Sequence, residues 1–263
     1  MLRRGRCFRT ALVYYAMINF GTILKIENQT NKTIVKIKNK YADYKAVYLP
    51  NIIPDCRAKY VFIAMEPSFR WARGDESFAK KQIANGFKNF IYSAEDFCLH
   101  YAITKFLGNS YYITDISKAA MSTKNANKIR DEIYPDCIGL LKEEIREIGK
   151  HKCSVYFIGA KVEEWLLGEI DGRRILHYSS NACKKRNEKP KEFPKEYKEF
   201  SETLTEVEFL DFISWRLKSF RLDRNITGEI YRKFIQRANN RANSVLTDSR
   251  KKLIFTYYKE FQK

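Results

Sequence analysis

Between Lys59 and Ser68 the chain reads KYVFIAMEPS, and the four consecutive apolar residues Val61 to Ala64 constrain the fold more than any other stretch. A short unbroken apolar run leaves no polar face for water, so it suits a strand buried on both sides, as in a parallel sheet. The run ends at Met65-Glu66-Pro67-Ser68, where a helix-incompatible proline follows a carboxylate at the strand's carboxyl end. Open α/β sheets bind ligands outside the carboxyl ends of their strands, which makes Glu66 a candidate functional group. Glu-Pro by itself also marks ordinary turns.

The rest of the chain repeats this theme. Segments 111–116 (YYITDI) and 153–158 (CSVYFI) predict a second and a third strand, and 173–176 (RRIL) a weaker fourth that runs into His177. Helical periodicity falls between them. Residues 93–107 carry a capping box, Ser93 with Asp96; 125–150 predict a helix, or two divided by Pro135; and 161–167 begin another. Strands alternating with helices imply a parallel sheet covered on both faces. Segment 69–90, polar and glycine-bearing, reads as an active-site loop.

The flanks differ in character. An amphipathic helix is expected near the start, whose basic-then-apolar look is broken by Asn19 and lacks a small-x-small cleavage site. TILKIEN and TIVKIKN then alternate around Gln29-Thr30-Asn31-Lys32 and read as a β-hairpin, its lysines touching phosphates or simply protecting a solvated edge. From 188 a proline-punctuated, charge-rich linker is expected, then helices over about 205–220 and 227–263. The second is basic, through Arg232, Lys233, Arg237, Arg241, Arg250, Lys251 and Lys252, and either lies on DNA or shows a solvated face. This divides the chain into 1–58 (helix and hairpin), 59–187 (α/β core) and 188–263 (basic helical extension).

Lys and Arg outnumber Asp and Glu 49 to 31, a formal charge of +18, so the surface attracts phosphate polyanions and anionic membranes. The six cysteines form no CxxC pair, which argues against a disulfide framework or a complete zinc site and for a reduced, cytoplasmic setting. No apolar run approaches the roughly 20 residues of a membrane span, and there is no Walker or GxGxxG loop.

Together these pieces resemble the uracil-DNA glycosylase superfamily, a small α/β sandwich built on a four-stranded parallel sheet. AMEPS, 64–68, looks like that family's first motif, with Glu66 on the residue that handles the attacking water. YYITDISK, 111–118, is similar to the strand that ends in the base-reading Asn, here Asp115. FIGAKVEEWLL, 157–167, matches the third strand, glycine and helix, and HYSSNACKKR, 177–186, the histidine loop, with His177 on the base-contacting position. The match covers about 60–187. The sequence departs from the pattern at Ala64 and Ser68, which replace motif glycines, and at Tyr178, which replaces a proline. The family's iron–sulfur branch uses four cysteines; Cys137 falls near one of those positions, but Ala119 occupies another and the amino-terminal CxxC is missing. No cluster, metal or other cofactor is expected.

The resemblance implies a three-layer sandwich and a monofunctional DNA glycosylase that leaves an abasic site, with DNA as partner. Glu66 and His177 would be catalytic: a carboxylate near C1′ stabilises the oxocarbenium-like sugar and orients water, and His177 would donate to the pyrimidine O2. An aromatic stacks on the flipped base; Phe90 aligns best, with Phe69 and Trp71 as alternatives. Ser179, Ser180, Asn181, Lys184, Lys185 and Arg186 would contact the DNA backbone. Asp115 changes the base reading: an ionised carboxylate only accepts hydrogen bonds, which suits the exocyclic amino group of a cytosine-type base better than the O4 of uracil, and cytosine N3 then needs a proton, its own or one shared with a protonated Asp115. Ser68, where one family branch has a bulky Tyr, leaves room beside C5. The combination points to a 5-substituted cytosine, as in phage genomes with hypermodified cytosine, and hence to antiviral defence. The alternatives are a repair glycosylase for uracil or another deaminated base, and a catalytically silent DNA-binding module.

Overall fold

The computed structural model of the chain describes residues 18–178, 182, 184–239 and 244–263, with 237–239 by backbone alone. The run Val61–Ala64 forms the end of β2 (Ala58–Ala64), which lies inside a four-stranded sheet with β3 (Tyr111–Asp115), β5 (Gly149–Ile158) and β6 (Arg173–Ile175). The order is β3-β2-β5-β6 and every pairing is parallel, so all four carboxyl ends share one edge. A separate antiparallel pair, β1 (Ala46–Tyr48) with β4 (Ala119–Met121), was not anticipated.

Side chains alternate across a strand, and each face of the sheet has its own apolar cluster. Phe62, Ala64, Ile113, Tyr156 and Ile158 point to one side. There they meet α3 (Ala94–Phe106), α8 (Glu206–Ser219), α9 (Arg224–Asn239) and α10 (Asp248–Phe261). Val61, Ile63, Tyr112 and Phe157 point to the other, against α1 (Phe20–Lys40), α4 (Thr123–Ile148) and α5 (Ala160–Leu166). Complete burial of each such side chain contributes about 1.5–3 kcal/mol. The four-stranded parallel sheet with helices on both faces is therefore as expected.

The flanks correct the expectations. The segment read as a hairpin is α1, with Ile26, Thr30, Ile34 and Ile37 buried along one stripe. The apolar positions satisfy a three-to-four-residue period as well as local alternation, and the supposed turn has no glycine to take the positive φ of a tight hairpin. Its lysines meet carboxylates: Lys25 pairs with Glu143 at 2.7 Å and Lys40 with Glu132 at 2.8 Å. Residues 69–90 are not an open loop but hold a 3-10 turn, Phe69–Ala72, and α2 (Glu76–Ala84). Pro135 lies inside one continuous helix, α4.

The expected linker is also helical, as α6 (Glu188–Glu192) and α7 (Pro194–Thr203). Its prolines sit in first turns, where the missing N–H has no intrahelical partner to lose. The long final helix is two, α9 and α10, and Glu206 caps the connection by accepting from Val245 N at 2.7 Å and Ser244 Oγ at 2.8 Å. The capping box on α3 is present as read, Ser93 with Asp96. The expected helix near the amino terminus lies outside the described residues up to residue 17, as do Cys7, Cys183 and Arg241.

Candidate active site at the carboxyl edge of the sheet

Glu66 follows β2, Asp115 ends β3 opposite Ala64, and His177 follows β6, so parallel pairing brings all three to the same edge. The Glu66 charge is felt by both of the others. Each is held differently.

Glu66 is clasped by α4. Arg130 Nε donates to Oε2 at 3.0 Å and Nη2 to Oε1 at 2.5 Å, while Tyr134 donates its hydroxyl to Oε2. Arg130 and Tyr134 are four apart, hence neighbours on one helix face. A carboxylate has about four lone-pair sites. Among the described residues three are taken, which leaves one on Oε1 for a water or a substrate.

Asp115 is 1 % exposed. Burial raises its pKa well above the ordinary value; the carboxylates Glu66 and Glu144 push the same way, against Lys118 and a hydrogen bond from Asn89. Asn89 Nδ2 donates to Oδ2 at 2.6 Å. The acid form is thus favoured, and a protonated carboxyl both donates and accepts. Beneath it, Lys118 joins the Asp115 carbonyl at 3.0 Å to the buried Glu144, which also accepts from Tyr112 and Thr114.

Burial and the Arg186 charge lower the pKa of His177, with Glu66 opposing them. The neutral ring stacks on Tyr178 at 4.9 Å. It also crowds Gly159, where φ is +101° and an added Cβ would lie 3.0 Å from His177 Cβ. The glycine of the resembling third-strand segment is therefore required by this approach. From the opposite side α10 holds the strand's exit: Leu176 N donates to Glu260 at 2.9 Å and Tyr257 donates to Leu176 O at 3.1 Å.

At this edge Asn89 holds Asp115, and the next residue, Phe90, is 5 % exposed and packs in the same core cluster as Phe69 and Trp71. Its φ is +60°, and the conformation is fixed at both ends: its N–H donates to Asn89 Oδ1 at 2.9 Å and its carbonyl faces His100 Nε2 at 3.0 Å. Burial, reinforced by Arg216, lowers the His100 pKa to about 3. Its Nε2 therefore carries the hydrogen, and Nδ1 accepts from Tyr111 at 2.6 Å. A bonded chain runs from Tyr111 through His100, Phe90 and Asn89 to Asp115.

Other expected site residues are placed elsewhere or do other work. Phe69 and Trp71 are packed in the core, Trp71 stacked on Phe87 at 4.5 Å. Ser68 is exposed and caps the 3-10 turn by accepting from Arg70 N. Lys184 and Lys185 are exposed, but Arg186 is 4 % exposed and donates to Tyr178 O and, at 3.1 Å, to Ser249 Oγ, so it anchors the loop to α10. Ser179, Ser180 and Asn181 lie outside the described residues. Sequence reasoning missed Asn89, Arg130, Tyr134 and His100. The Arg130/Tyr134 spacing is the only signal in the sequence, and it is shared by many surface helices.

Among the described residues no His/Cys/Asp/Glu group is disposed to hold a metal, and no helix is long and apolar enough to cross a membrane. The site defines an α/β protein with two carboxyl groups and a neutral histidine at the carboxyl edge of a parallel sheet. Comparison with protein-family models, curated proteins and solved structures gives no match to this chain.

Proposed function

We propose that the chain is a DNA glycosylase of the uracil-DNA glycosylase kind, acting on a flipped, cytosine-type base with a 5-substituent, and that such a base in phage DNA makes it a defence enzyme. The convergence of Glu66, Asp115 and His177 on one sheet edge carries this reading. The +18 charge supports a polyanionic substrate.

The chemistry follows from how each group is held. Glu66 uses its remaining lone pair to orient water toward C1′, and its carboxylate stabilises the sugar as positive charge develops. Arg130 offsets part of that charge while fixing its position. Neutral His177 donates to the base O2 as electrons move into the ring. Protonated Asp115 donates to the cytosine-type N3 and accepts from the exocyclic amino group. Its proton passes to the departing base as the glycosidic bond breaks, while water adds to C1′ and gives its own proton to Glu66. An ionised Asp115 would leave N3 without a donor.

A catalytically silent DNA-binding module is the second reading, favoured by the Glu66–Arg130 pair, which neutralises the catalytic carboxylate. Incubation with genomic DNAs of differing cytosine modification, followed by abasic-site assay, separates the two. Abasic sites in the modified genomes support the enzyme. Retention of those DNAs without any abasic sites supports the silent module, and sites in uracil-bearing DNA alone support a repair glycosylase.

A further inference from the structure

A cavity of about 320 Å³ runs beside the unpaired edge of β3, is bounded by the end of α8 and by residues 52–56, and reaches Asn89, the residue that holds Asp115. Its distinctive group is Arg216, only 8 % exposed. The guanidinium carbon sits 4.6 Å from the Tyr111 ring centre and 4.6 Å from that of Phe220, with Trp215 at 5.7 Å.

Among the described residues no carboxylate pairs with this charge, and its Nε has no hydrogen-bond partner. The acid at the cavity, Asp55, instead pairs with Arg221 at 3.3 Å, both largely exposed. Arg216 also reaches the Tyr111 hydroxyl, which is itself committed to His100. Burying an unpaired charge is strongly unfavourable. Ring faces compensate a cation only in part.

We infer that this cavity binds a small phosphate-bearing ligand, with Arg216 as its anion-holding fork. A guanidinium presents parallel donors that match two phosphate oxygens. Asn109 lines the same cavity with a neutral amide donor. Trp215 leaves part of its ring in the open at 44 % exposure, a surface on which a flat base could stack. The size fits the lower end of small-molecule pockets and is too small for a strand of nucleic acid, so the ligand is free phosphate or a mononucleotide. Arg216 and Trp215 take no part in the glycosylase reading, although Asn89 borders both sites.

Calorimetric titration of the full chain with inorganic phosphate, and separately with thymidine and cytidine 5′-monophosphates, tests this at roughly physiological 0.15 M salt. One-site saturable binding that weakens at least about tenfold in Arg216→Met, and is unchanged in the exposed-lysine variant Lys198→Met, is the expected result. Tighter binding of the nucleotides than of phosphate assigns the ligand to a mononucleotide; equal binding assigns it to phosphate. Should Arg216→Met fail to fold, saturable quenching of wild-type fluorescence that disappears in Trp215→Phe locates the ligand instead. No saturable binding of any probe, or binding insensitive to Arg216 and Trp215, overturns the assignment.

Discussion

The Asp115 side chain concentrates the substrate question, because its burial favours a proton that an exposed aspartate would lose. As an acid it reads a donor and an acceptor together. Asp115→Asn keeps the shape and the donor–acceptor pair, but an amide does not give up its proton, so N3 of a cytosine-type base is no longer protonated as it departs. Release of a cytosine-type base should therefore fall by about 10²–10⁴-fold, the range of a positioned proton donor, while release of uracil, which already carries its N3 proton, should fall less. Release of each base from paired oligonucleotides measures it; an unchanged order of preference makes Asp115 a structural cap. His100 yields a stability prediction. Its pKa is lowered to about 3 in the fold, against an ordinary 6.5. Between those values the unfolded chain binds the extra proton, so stability is complete above the ordinary value and falls as pH drops toward 3. Asp96, raised to about 6 by burial, acts in the opposite sense. It is common to both proteins when wild type is compared with His100→Gln. The stability of wild type relative to the variant should fall as pH drops from 6.5 toward 3, as followed by denaturant unfolding of both proteins. Parallel curves would show that His100 does not titrate as its burial requires.

Elements were legible where one pattern excluded its rivals. Val61–Ala64 could bury only as an inner strand, and Ser93 with Asp96 is a reciprocal cap that few other arrangements satisfy. Segment 22–39 fits both periods, and only packing on α4 selects the helix. The site divides in the same way. Glu66, Asp115 and His177 were visible because strand ends are sequence features. Their partners Arg130, Tyr134 and Asn89 were not, since these meet the site only through tertiary packing. Gly159 joins the two levels: it begins α5 and makes room for His177. Gly159→Ala should cost about 1–3 kcal/mol, through the strain of positive φ on a residue with a Cβ, and should also displace His177. Thermal unfolding gives the first effect and the His177 ring NMR shifts the second. A stable protein with unmoved His177 resonances would contradict the close approach.

For the whole molecule, the carboxy-terminal helices are part of the architecture. Leu253, Ile254 and Tyr257 of α10 complete the apolar cluster over one face of the sheet, and Tyr257 and Glu260 hold the backbone just before His177. A chain ending at residue 187 should therefore lose cooperative unfolding, as monitored by near-ultraviolet circular dichroism; a cooperative transition at the wild-type temperature would make α8–α10 a dispensable extension. The shared carboxyl edge holds Glu66 fixed beside Asp115 and His177, and the proposed function needs that carboxylate at a sugar carbon. The most direct measurement is single-turnover release of free base from an oligonucleotide holding a 5-substituted cytosine, by wild type and by Glu66→Gln. The account predicts release by wild type and a loss of about 10²–10⁴-fold in rate for Glu66→Gln, the range typical of a positioned acid–base group, with DNA affinity retained. Equal rates for the two proteins, or no release by wild type from any modified-cytosine oligonucleotide, would contradict it.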